Sequence, residues 1–425
     1  MAFILRRPVS RACHSMTHFP YAERVEFVVE LARRLHIYGT TAQRLEGAIT
    51  SVAQRLGLRC SPWANPTGIL ISFSDANEPE ILANTTQVLR LAPGDVDLRK
   101  LGQTDAIAES VMRGEMSVRE ATAALHALDK PASMGSEIRS AISFGLAAAS
   151  VATLLRSSWA DVAVAAGIGG LIGLLVWASA KRPRLSESLE LIAGLVATLI
   201  AACVASFIMP LSLNTVVVAS LIVLMPGLTL TNAISELASQ QLVTGTARFA
   251  GAVAVLLKLG FGSVMALQTL EVLGVTPRLH PDAAQVPAWA EWLALAVSAY
   301  AFAVLFKASR RDYLLVMAAV VCGYLFTRLA SLWLPGTTAV FVASLGITVL
   351  SNVYARRFNR PGAVIRVPGI ILMVPGSVGF RGVSSILDQN LQLGLDTGVN
   401  LLTLLAALVG GLLIGNVLFP ARRNL

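Results

Sequence analysis

Apolar and polar positions divide this chain into two parts of different character. From Met1 to about Met134, charged residues recur every few positions, as in a water-soluble domain. From about Glu137 to Phe419, long apolar runs are separated by short basic links. Because a helix needs about 20 apolar residues to cross a bilayer, the second part reads as a series of membrane-spanning helices. The pattern predicts a soluble domain followed by a helical membrane domain.

About ten apolar stretches in the second part have the length of a membrane span, or nearly so. The fourth and the ninth in chain order are shorter than the others, and each runs into a Pro-Gly pair. We therefore predict a polytopic α-helical membrane protein with two interrupted spans. The predicted spans are 138–155, 161–180, 189–209, 212–226, 247–270, 288–306, 313–332, 336–355, 363–378 and 396–418.

The two interrupted spans resemble each other in sequence. Residues 222–237 read IVLMPGLTLTNAISEL, and residues 370–386 read IILMVPGSVGFRGVSSI. When the two Pro-Gly pairs are aligned, a serine follows at the same distance in each. This similarity predicts two five-helix membrane repeats, at 135–273 and 285–420. An odd number of spans in each repeat gives the two repeats opposite orientations, so the expected architecture is an inverted repeat.

The basic residues predict how the chain is oriented in the membrane. The links that hold Arg182, Arg311 and Arg357 are richer in cations than those that hold Arg156 and Arg278. Cation-rich links stay in the cytoplasm, so both termini are expected there. Membrane topology also accounts for the net charge of +9, and no nucleic-acid partner is expected.

The soluble part predicts a cytoplasmic α+β domain at 21–134. The first twenty residues contain no apolar core of a signal peptide, so 1–20 is expected to be a disordered tail. Apolar residues at helical spacing and short strand-like runs give the order ααβββαα. The predicted helices and strands cover 21–37, 41–56, 58–64, 68–74, 84–91, 98–113 and 117–129.

No motif in the chain indicates a cofactor or an enzyme. The four cysteines, Cys13, Cys60, Cys203 and Cys322, are scattered without the spacing of a metal site or a disulfide framework. Phosphate-binding loops, zinc-protease helices and nucleophile elbows are absent from the sequence. The sequence therefore predicts no cofactor, no metal and no enzymatic activity.

Polar residues beside the two breaks are the candidates for a substrate site. Half-helices that restart after a break carry partial positive charge suited to a carboxylate, and hydroxyl and amide groups suit a hydroxyl or ammonium group. We expect the two breaks to meet and hold a small polar substrate between them. The breaks are Pro226, Gly227, Pro375 and Gly376, and the candidate substrate-binding residues are Thr229, Thr231, Asn232, Ser235, Ser377, Arg381 and Ser384.

Ionisable residues at membrane depth are costly, so each of them needs an explanation. Glu236 is the best-placed candidate to carry a coupled proton, ahead of Glu271 and Asp388. Lys258, in the fifth predicted span, is the second proton-coupling candidate: it either neutralises Glu236 or contacts substrate, unless the helix boundary is displaced. Arg381 has two interpretations that the sequence weighs about equally. It either anchors a substrate carboxylate or lies in an outer link and faces water.

Four segments resemble the threonine/serine exporter family. LARRLHIYGTTAQRLEGAITSVAQRLGL at 31–58 and PTGILISF at 66–73 are similar to the family's cytoplasmic domain. LMPGLTLTNAISEL at 224–237 and LMVPGSVGFRG at 372–382 are similar to its two membrane signatures. The resemblance covers nearly the whole chain from about residue 21.

The resemblance implies a secondary transporter in the bacterial inner (plasma) membrane. It would export threonine, serine or a similar small amino acid by alternating access, driven by the proton motive force. The implied partners are a small-molecule substrate, protons and the lipid bilayer, with self-association left open. Three alternatives stand beside it: a dicarboxylate exporter, a channel, and a membrane-anchored regulatory or assembly protein.

Overall fold

A computed structural model describes residues 19–75, 85–129, 133–278 and 285–420. Nearly all of the predicted tail and the acidic residues Glu78 and Glu80 lie outside these ranges. The described part of the N-terminal domain has the predicted order of helices and strands. Its elements are α1 (Tyr21–Ile37), α2 (Ala42–Arg55), β1 (Leu58–Asn65), β2 (Gly68–Asp75), β3 (Thr85–Arg90), α3 (Leu98–Arg113) and α4 (Val118–Ala127).

The three strands form one antiparallel sheet in the order β1-β2-β3. Asn65 pairs with Gly68, so a tight turn joins the first two strands between the predicted strand ranges. Side chains of β2 alternate between the two faces of the sheet, which places Ile69, Ile71 and Phe73 against the helices in the core of the domain. Helices α1 and α2 pack on the same core along their length, which gives a small two-layer domain.

The rest of the described chain is helical. Half A denotes the helices α5 to α11, and half B denotes α12 to α17. Half A consists of α5 (Met134–Leu154), α6 (Trp159–Ser179), α7 (Pro183–Glu187), α8 (Leu189–Phe207), α9 (Leu213–Leu221), α10 (Gly227–Ala238) and α11 (Leu242–Val272). Half B consists of α12 (Ala288–Leu305), α13 (Tyr313–Ala330), α14 (Gly336–Phe358), α15 (Ala363–Ile370), α16 (Gly376–Leu387) and α17 (Leu391–Leu418).

Seven helices of the described chain are long and apolar enough to cross a membrane. They comprise three in half A (α6, α8 and α11) and four in half B (α12, α13, α14 and α17), the span at α13 beginning in the short turn before it. The first predicted span corresponds to α5, whose opening turns hold Glu137 and Arg139. The protein is therefore a helical membrane protein with seven candidate spans and a small N-terminal sheet.

The fourth and ninth predicted spans are interrupted at their Pro-Gly pairs, as the sequence indicates. Each is a pair of short helices, α9 with α10 and α15 with α16, and α9 already ends at Leu221. Proline lacks an N–H and disfavours helical backbone in the residue before it, so the helix ends ahead of Pro226 and restarts after it. Pro375 has the same effect in half B.

Glycines allow the long helices of each half to pack closely. A Cβ on Gly262 of α11 would lie 2.2 Å from the carbonyl oxygen of Leu191 in α8. A Cβ on Gly411 of α17 would lie 2.3 Å from the carbonyl oxygen of Phe341 in α14. Small residues at such contacts let helix backbones approach, which is the usual basis of helix association in a membrane.

The N-terminal domain packs against one end of the membrane helices, here called the domain side. Leu98 at the start of α3 donates its backbone N–H to the carbonyl oxygen of Phe306 at the end of α12, at 3.0 Å. Ala42 at the start of α2 donates to the Glu236 carboxylate at the end of α10, at 3.2 Å. The domain therefore contacts both halves.

Candidate functional site

The two helix breaks have the same backbone geometry. Pro226 has φ −80° and ψ 43°, and Pro375 has φ −84° and ψ 44°. In each break the glycine N–H bonds two residues back, Gly227 to Met225 at 2.8 Å and Gly376 to the equivalent carbonyl at 2.9 Å. This is a tight three-residue turn, and a helix of 12 residues restarts after each one.

The two breaks lie in contact with each other. A Cβ on Gly376 would lie 3.3 Å from both the Cα and the backbone nitrogen of Gly227. A Cβ on Gly227 would lie 2.3 Å from a methyl group of Val374. Only glycine, which has no side chain, allows two backbones to approach this closely without a shift. The structure thus brings together Pro226–Gly227 and Pro375–Gly376.

The polar residues of α10 differ in what their side chains contact. Thr231 is fully buried, and its hydroxyl donates to the carbonyl oxygen of Gly227 at 3.1 Å. Thr229 is half-buried. Asn232 and Ser235 are also half-buried, and within the described ranges neither side chain has a hydrogen-bond partner. Thr229, Asn232 and Ser235 are the α10 residues of the described chain whose polar groups remain available to a ligand.

Three candidate residues belong to α16. The hydroxyl of Ser384 is buried and has no hydrogen-bond partner among the residues that the structure describes. It lies beside Gly260 of α11, 3.6 Å from where a Cβ of that glycine would stand. Ser377 is half-buried next to the break. Arg381 lies within α16 and not in a link, and its side chain is exposed.

Glu236 is buried at the end of α10, where the N-terminal domain meets half A. Its side chain is 2% exposed. One carboxylate oxygen lies 3.0 Å from Nε of Arg248, in contact but not aligned as a hydrogen bond. The other oxygen accepts the N–H of Ala42, the first residue of α2. Neither partner was apparent from the sequence, because Ala42 is distant along the chain and Arg248 lies in the next helix, α11.

Lys258 forms its ion pair away from Glu236. Its Nζ lies 2.8 Å from the carboxylate of Glu190 in α8 and also donates to the Glu187 carbonyl at 3.2 Å. Glu271 and Asp388, the weaker candidates for proton coupling, are exposed. The pairing of Lys258 ties α11 to the first turn of α8, so half A contains two separate ion pairs.

A second polar network, which the sequence did not indicate, connects the halves at the side opposite the domain. Glu291 of α12 contacts Arg328 and Tyr324 of α13 and lies 3.3 Å from Arg156, which follows α5. Glu291 lies between Trp289 and Trp292 in the sequence. A lone acid between tryptophans is the only signal that could have pointed to this network.

Two breaks that meet among apolar helices, with unpaired polar side chains beside them, define a multi-pass helical membrane protein of the transporter class. A family profile described as "Putative threonine/serine exporter" matches residues 26–270. A second, described as "Threonine/Serine exporter, ThrE", matches residues 291–418. Because the first match alone covers more than half of the chain, the chain belongs to the threonine/serine exporter family. The family is one of exporters, not of enzymes.

Curated relatives include bacterial and fungal proteins. The chain is 24% identical over 330 residues to "Threonine/serine exporter" of Corynebacterium glutamicum, covering 76% of this chain and 67% of that protein. It is 24% identical over 386 residues to "Pheromone-regulated membrane protein 10" of Eremothecium gossypii, covering 87% of this chain and 50% of that protein. The homologous protein of Debaryomyces hansenii is 25% identical over 378 residues, with 84% and 36% covered.

The chain spans half or less of the length of these fungal relatives. No solved structure matches the chain.

Proposed function

We propose that this protein exports threonine, serine or a similar small amino acid across the plasma membrane, driven by the proton motive force. Family membership supports amino-acid export. The observation that carries the proposal is the contact of Gly227 with Gly376, because it brings two half-helix ends to one place. Exporters that use broken helices bind substrate where such ends converge.

The substrate's chemistry matches the groups beside the breaks. The N–H groups in the first turn of a helix have no acceptor within that helix. The N–H groups of Gly227 and Gly376 bond within the breaks, so those of the next two residues in α10 and in α16 are the donors offered to a carboxylate. Asn232 and Ser235 have unused polar groups for an ammonium or hydroxyl group, and Thr229 and Ser377 lie close to the breaks. Ser384 contributes a buried hydroxyl from half B. Arg381, being exposed, is assigned to initial attraction of the substrate carboxylate.

The proposed architecture is an inverted repeat in which the broken pairs count as spans and the N-terminal domain is cytoplasmic. Two observations support it. Gly262 and Gly411 stand at the same offset from their respective breaks, and each packs on the equivalent helix of its own half. The helices also leave the breaks in opposite directions. α10 runs toward the N-terminal domain and ends against it. α16 runs away from the domain, because its first residues pack near Leu256 of α11 and its later residues near Gly260, farther along α11.

Proton coupling is assigned to Glu236. It is a buried carboxylate at the end of the half-helix that carries Asn232 and Ser235, and its ion pair with Arg248 would be broken by protonation. A proton there would therefore alter the position of α10 and with it the substrate site. Lys258 with Glu190 is the second ionic pair in half A that protonation could break.

The test is uptake and efflux in liposomes that contain the purified protein. Labelled threonine, serine and succinate are loaded separately, and efflux is followed with and without a pH gradient and a protonophore. Efflux of threonine or serine that collapses with the protonophore is expected. Efflux of succinate alone would transfer the same mechanism to dicarboxylates, and gradient-independent leak of all three would indicate a channel. No movement above empty liposomes would overturn the proposal.

A further inference from the structure

We propose that the N-terminal domain is a gate on the domain side of the transport site, carried by half B and released from half A in each cycle. The inference rests on the proposed function, because it assumes that the two halves move relative to each other. It follows from a difference between the two surfaces by which the domain contacts the membrane helices.

The contact with half B is continuous with a hydrophobic core. Ala363 of α15, 5% exposed, belongs to the core of the N-terminal domain, and Val367 packs against it. Leu98 of α3, 4% exposed, belongs in turn to a core cluster of half B together with Phe306 and Val364. Separating these surfaces would expose apolar groups to water, so the domain and half B are expected to move as one body.

Backbone contacts reinforce the attachment to half B. Leu98 and Arg99 donate their N–H groups to the carbonyl oxygens of Phe306 and Lys307, at 3.0 and 3.2 Å. The start of α3 therefore meets the end of α12, and each supplies the hydrogen bonds that the other helix end lacks. The partial charges of the two helix ends are opposite, which favours the contact further.

The contact with half A consists of polar groups. Three residues at the corner between α10 and α11 bind the domain: Glu236 accepts from Ala42, Gln241 donates to Glu46, and Thr244 donates to Ala64. Their distances are 3.2, 2.9 and 2.8 Å. Within the described ranges, the hydrophobic core of the domain contains no residue of half A. Water can replace these hydrogen bonds, so this contact can open at little cost.

The domain side of this contact is preformed. Glu46 is held from within the domain, because it also accepts the N–H of Ala64 at 2.8 Å. Thr41 precedes α2 and makes no side-chain hydrogen bond to it, so the Glu236 carboxylate supplies an acceptor at the helix start. The Glu236 carboxylate of half A thus accepts a hydrogen bond from the start of α2 in the domain. The domain can therefore release and rebind the same surface.

The N-terminal domain bridges the two halves of the membrane part. The domain precedes half A along the chain but packs into half B, so it spans both halves on one side. Relative motion of the halves on this side must break one of the two contacts, and the polar one lies directly beyond Asn232 and Ser235 on α10. Release at the corner of α10 and α11 would open a path from the domain side to the breaks.

The test uses pairs of cysteines in a protein whose native cysteines have been replaced. Gln241→Cys with Glu46→Cys bridges the domain to half A, and Asn359→Cys with Glu109→Cys, whose native side chains are in contact, bridges it to half B. Each pair is joined with a short reducible crosslinker, and threonine exchange is measured in liposomes. We expect the first crosslink to reduce exchange at least tenfold, with recovery on reduction. The second should leave at least half of the exchange.

Single-cysteine variants treated with the same reagent are the controls. An unchanged rate after the first crosslink, or equal loss after both, would overturn the gate. A second measurement does not depend on transport: Ser235→Cys is labelled with a membrane-impermeant thiol reagent from the domain side. We expect labelling to slow at least fivefold with the first crosslink and to remain unchanged with the second.

The two measurements separate this inference from the proposed function. If the uncrosslinked protein does not move threonine but labelling is still blocked by the first crosslink, the substrate assignment fails and the gate stands. If neither crosslink alters labelling, the gate is overturned whatever the transport result. Should the paired variants fold poorly, Gln241→Leu with Thr244→Val removes two of the three contacts. That variant should speed the labelling of Ser235→Cys at least twofold, and no increase would contradict the gate.

Discussion

Asn232 lies little more than one turn after Gly227, half-buried and without a side-chain partner in the described part of the chain. Replacing it with leucine, which has nearly the same size, removes both polar groups. If it binds substrate, the substrate's polar group is left unpaired, which typically costs about 1–3 kcal/mol and thus roughly 5- to 150-fold in exchange rate at low substrate. Asn232→Leu should show this loss while remaining folded by thermal unfolding. Unchanged exchange would remove Asn232 from the site.

Glu236→Gln tests whether the Glu236 carboxylate carries the coupled proton. The amide keeps the shape of the side chain and the acceptor for Ala42 but cannot lose or bind a proton at neutral pH. We expect threonine exchange between equal solutions to persist, while acceleration by a pH gradient disappears. Glu291→Gln, which alters an ion-paired carboxylate with no assigned part in proton coupling, is the matched control. Full gradient dependence in the Glu236 variant would reject its role.

Asp105, in the N-terminal domain, gives a prediction about stability and pH. It is 7% exposed, and burial raises the pKa of its carboxyl to about 7, against the lowering effect of Arg44. An acid with a raised pKa in the folded state is most favourable below its ordinary pKa and loses stability as pH rises through about 7. Asp105→Asn should therefore raise the unfolding temperature at pH 8 by at least about 2 °C. A smaller increase is expected at pH 5, because only part of the pH range between the ordinary pKa and the raised pKa has been crossed there. An equal shift at both would contradict the assignment.

The sequence located the residues near the breaks but not their partners. Proline and glycine act on their own backbone, so the positions of Pro226 and Pro375 indicated where the helices restart. Contacts such as Glu236 with Ala42 join residues far apart in the chain, and local patterns carry no information about them. Lys258 illustrates the same limit, since its carboxylate partner lies in α8.

At the scale of elements, the most informative residues are glycines at helix contacts. Gly262 and Gly411 each face a backbone carbonyl of the neighbouring helix at a distance that no Cβ can occupy. Gly251 and Gly398 lie in the same two helices with open space around them. Alanine at the first pair should reduce stability by about 1–3 kcal/mol, because the helices must separate. Alanine at the second pair should leave stability unchanged or raise it slightly, because alanine favours helix.

Thermal unfolding in detergent, followed by a fluorescent thiol dye or by circular dichroism, measures the difference. Because the two close contacts occupy equivalent places in the halves, their losses should be similar. A loss at Gly262 with none at Gly411 would mean that the halves are held together differently. It would also weaken the proposal that they are repeats of one structure.

Element boundaries were predictable where local chemistry sets them. The hairpin at Asn65–Gly68 and the helix restarts after both Pro-Gly pairs follow from residues in the turns themselves. The early end of α9 at Leu221 did not follow from the sequence. The residues between Leu221 and Pro226 are apolar and suit a helix, so only the geometry of the break ends it there.

At the scale of the whole molecule, the association of the N-terminal domain with half B is the feature that the sequence concealed. Order along the chain suggests that the domain accompanies half A, which follows it directly. Ala363 and Val367 of half B pack into the core of the N-terminal domain, so the domain associates with half B instead. Those two residues are apolar in an apolar stretch, so nothing in their pattern distinguishes a neighbouring domain from lipid. The path of the chain therefore joins the domain to one half while the hydrophobic effect joins it to the other.

The inverted repeat makes a prediction that belongs to the whole molecule. Gln240 and Gln389 both stand at the corner after a half-helix, both are exposed, and both have a left-handed backbone, with φ of 65° and 63°. Two parallel repeats would place these corners on the same side of the membrane, and two inverted repeats place them on opposite sides. Cysteine at each position, in a protein without native cysteines, allows the two cases to be separated with an impermeant thiol reagent.

In cells with intact membranes, Gln389→Cys should be labelled from outside and Gln240→Cys should be labelled only after the membrane is opened. The expected contrast is at least tenfold, since the reagent does not cross the bilayer. Because the two corners have the same local conformation, a difference in reactivity cannot be attributed to the backbone. Labelling of both from outside, or of neither, would contradict inversion. The two breaks would then meet without being related by an axis in the membrane plane, and half B could not be the inverted counterpart of half A.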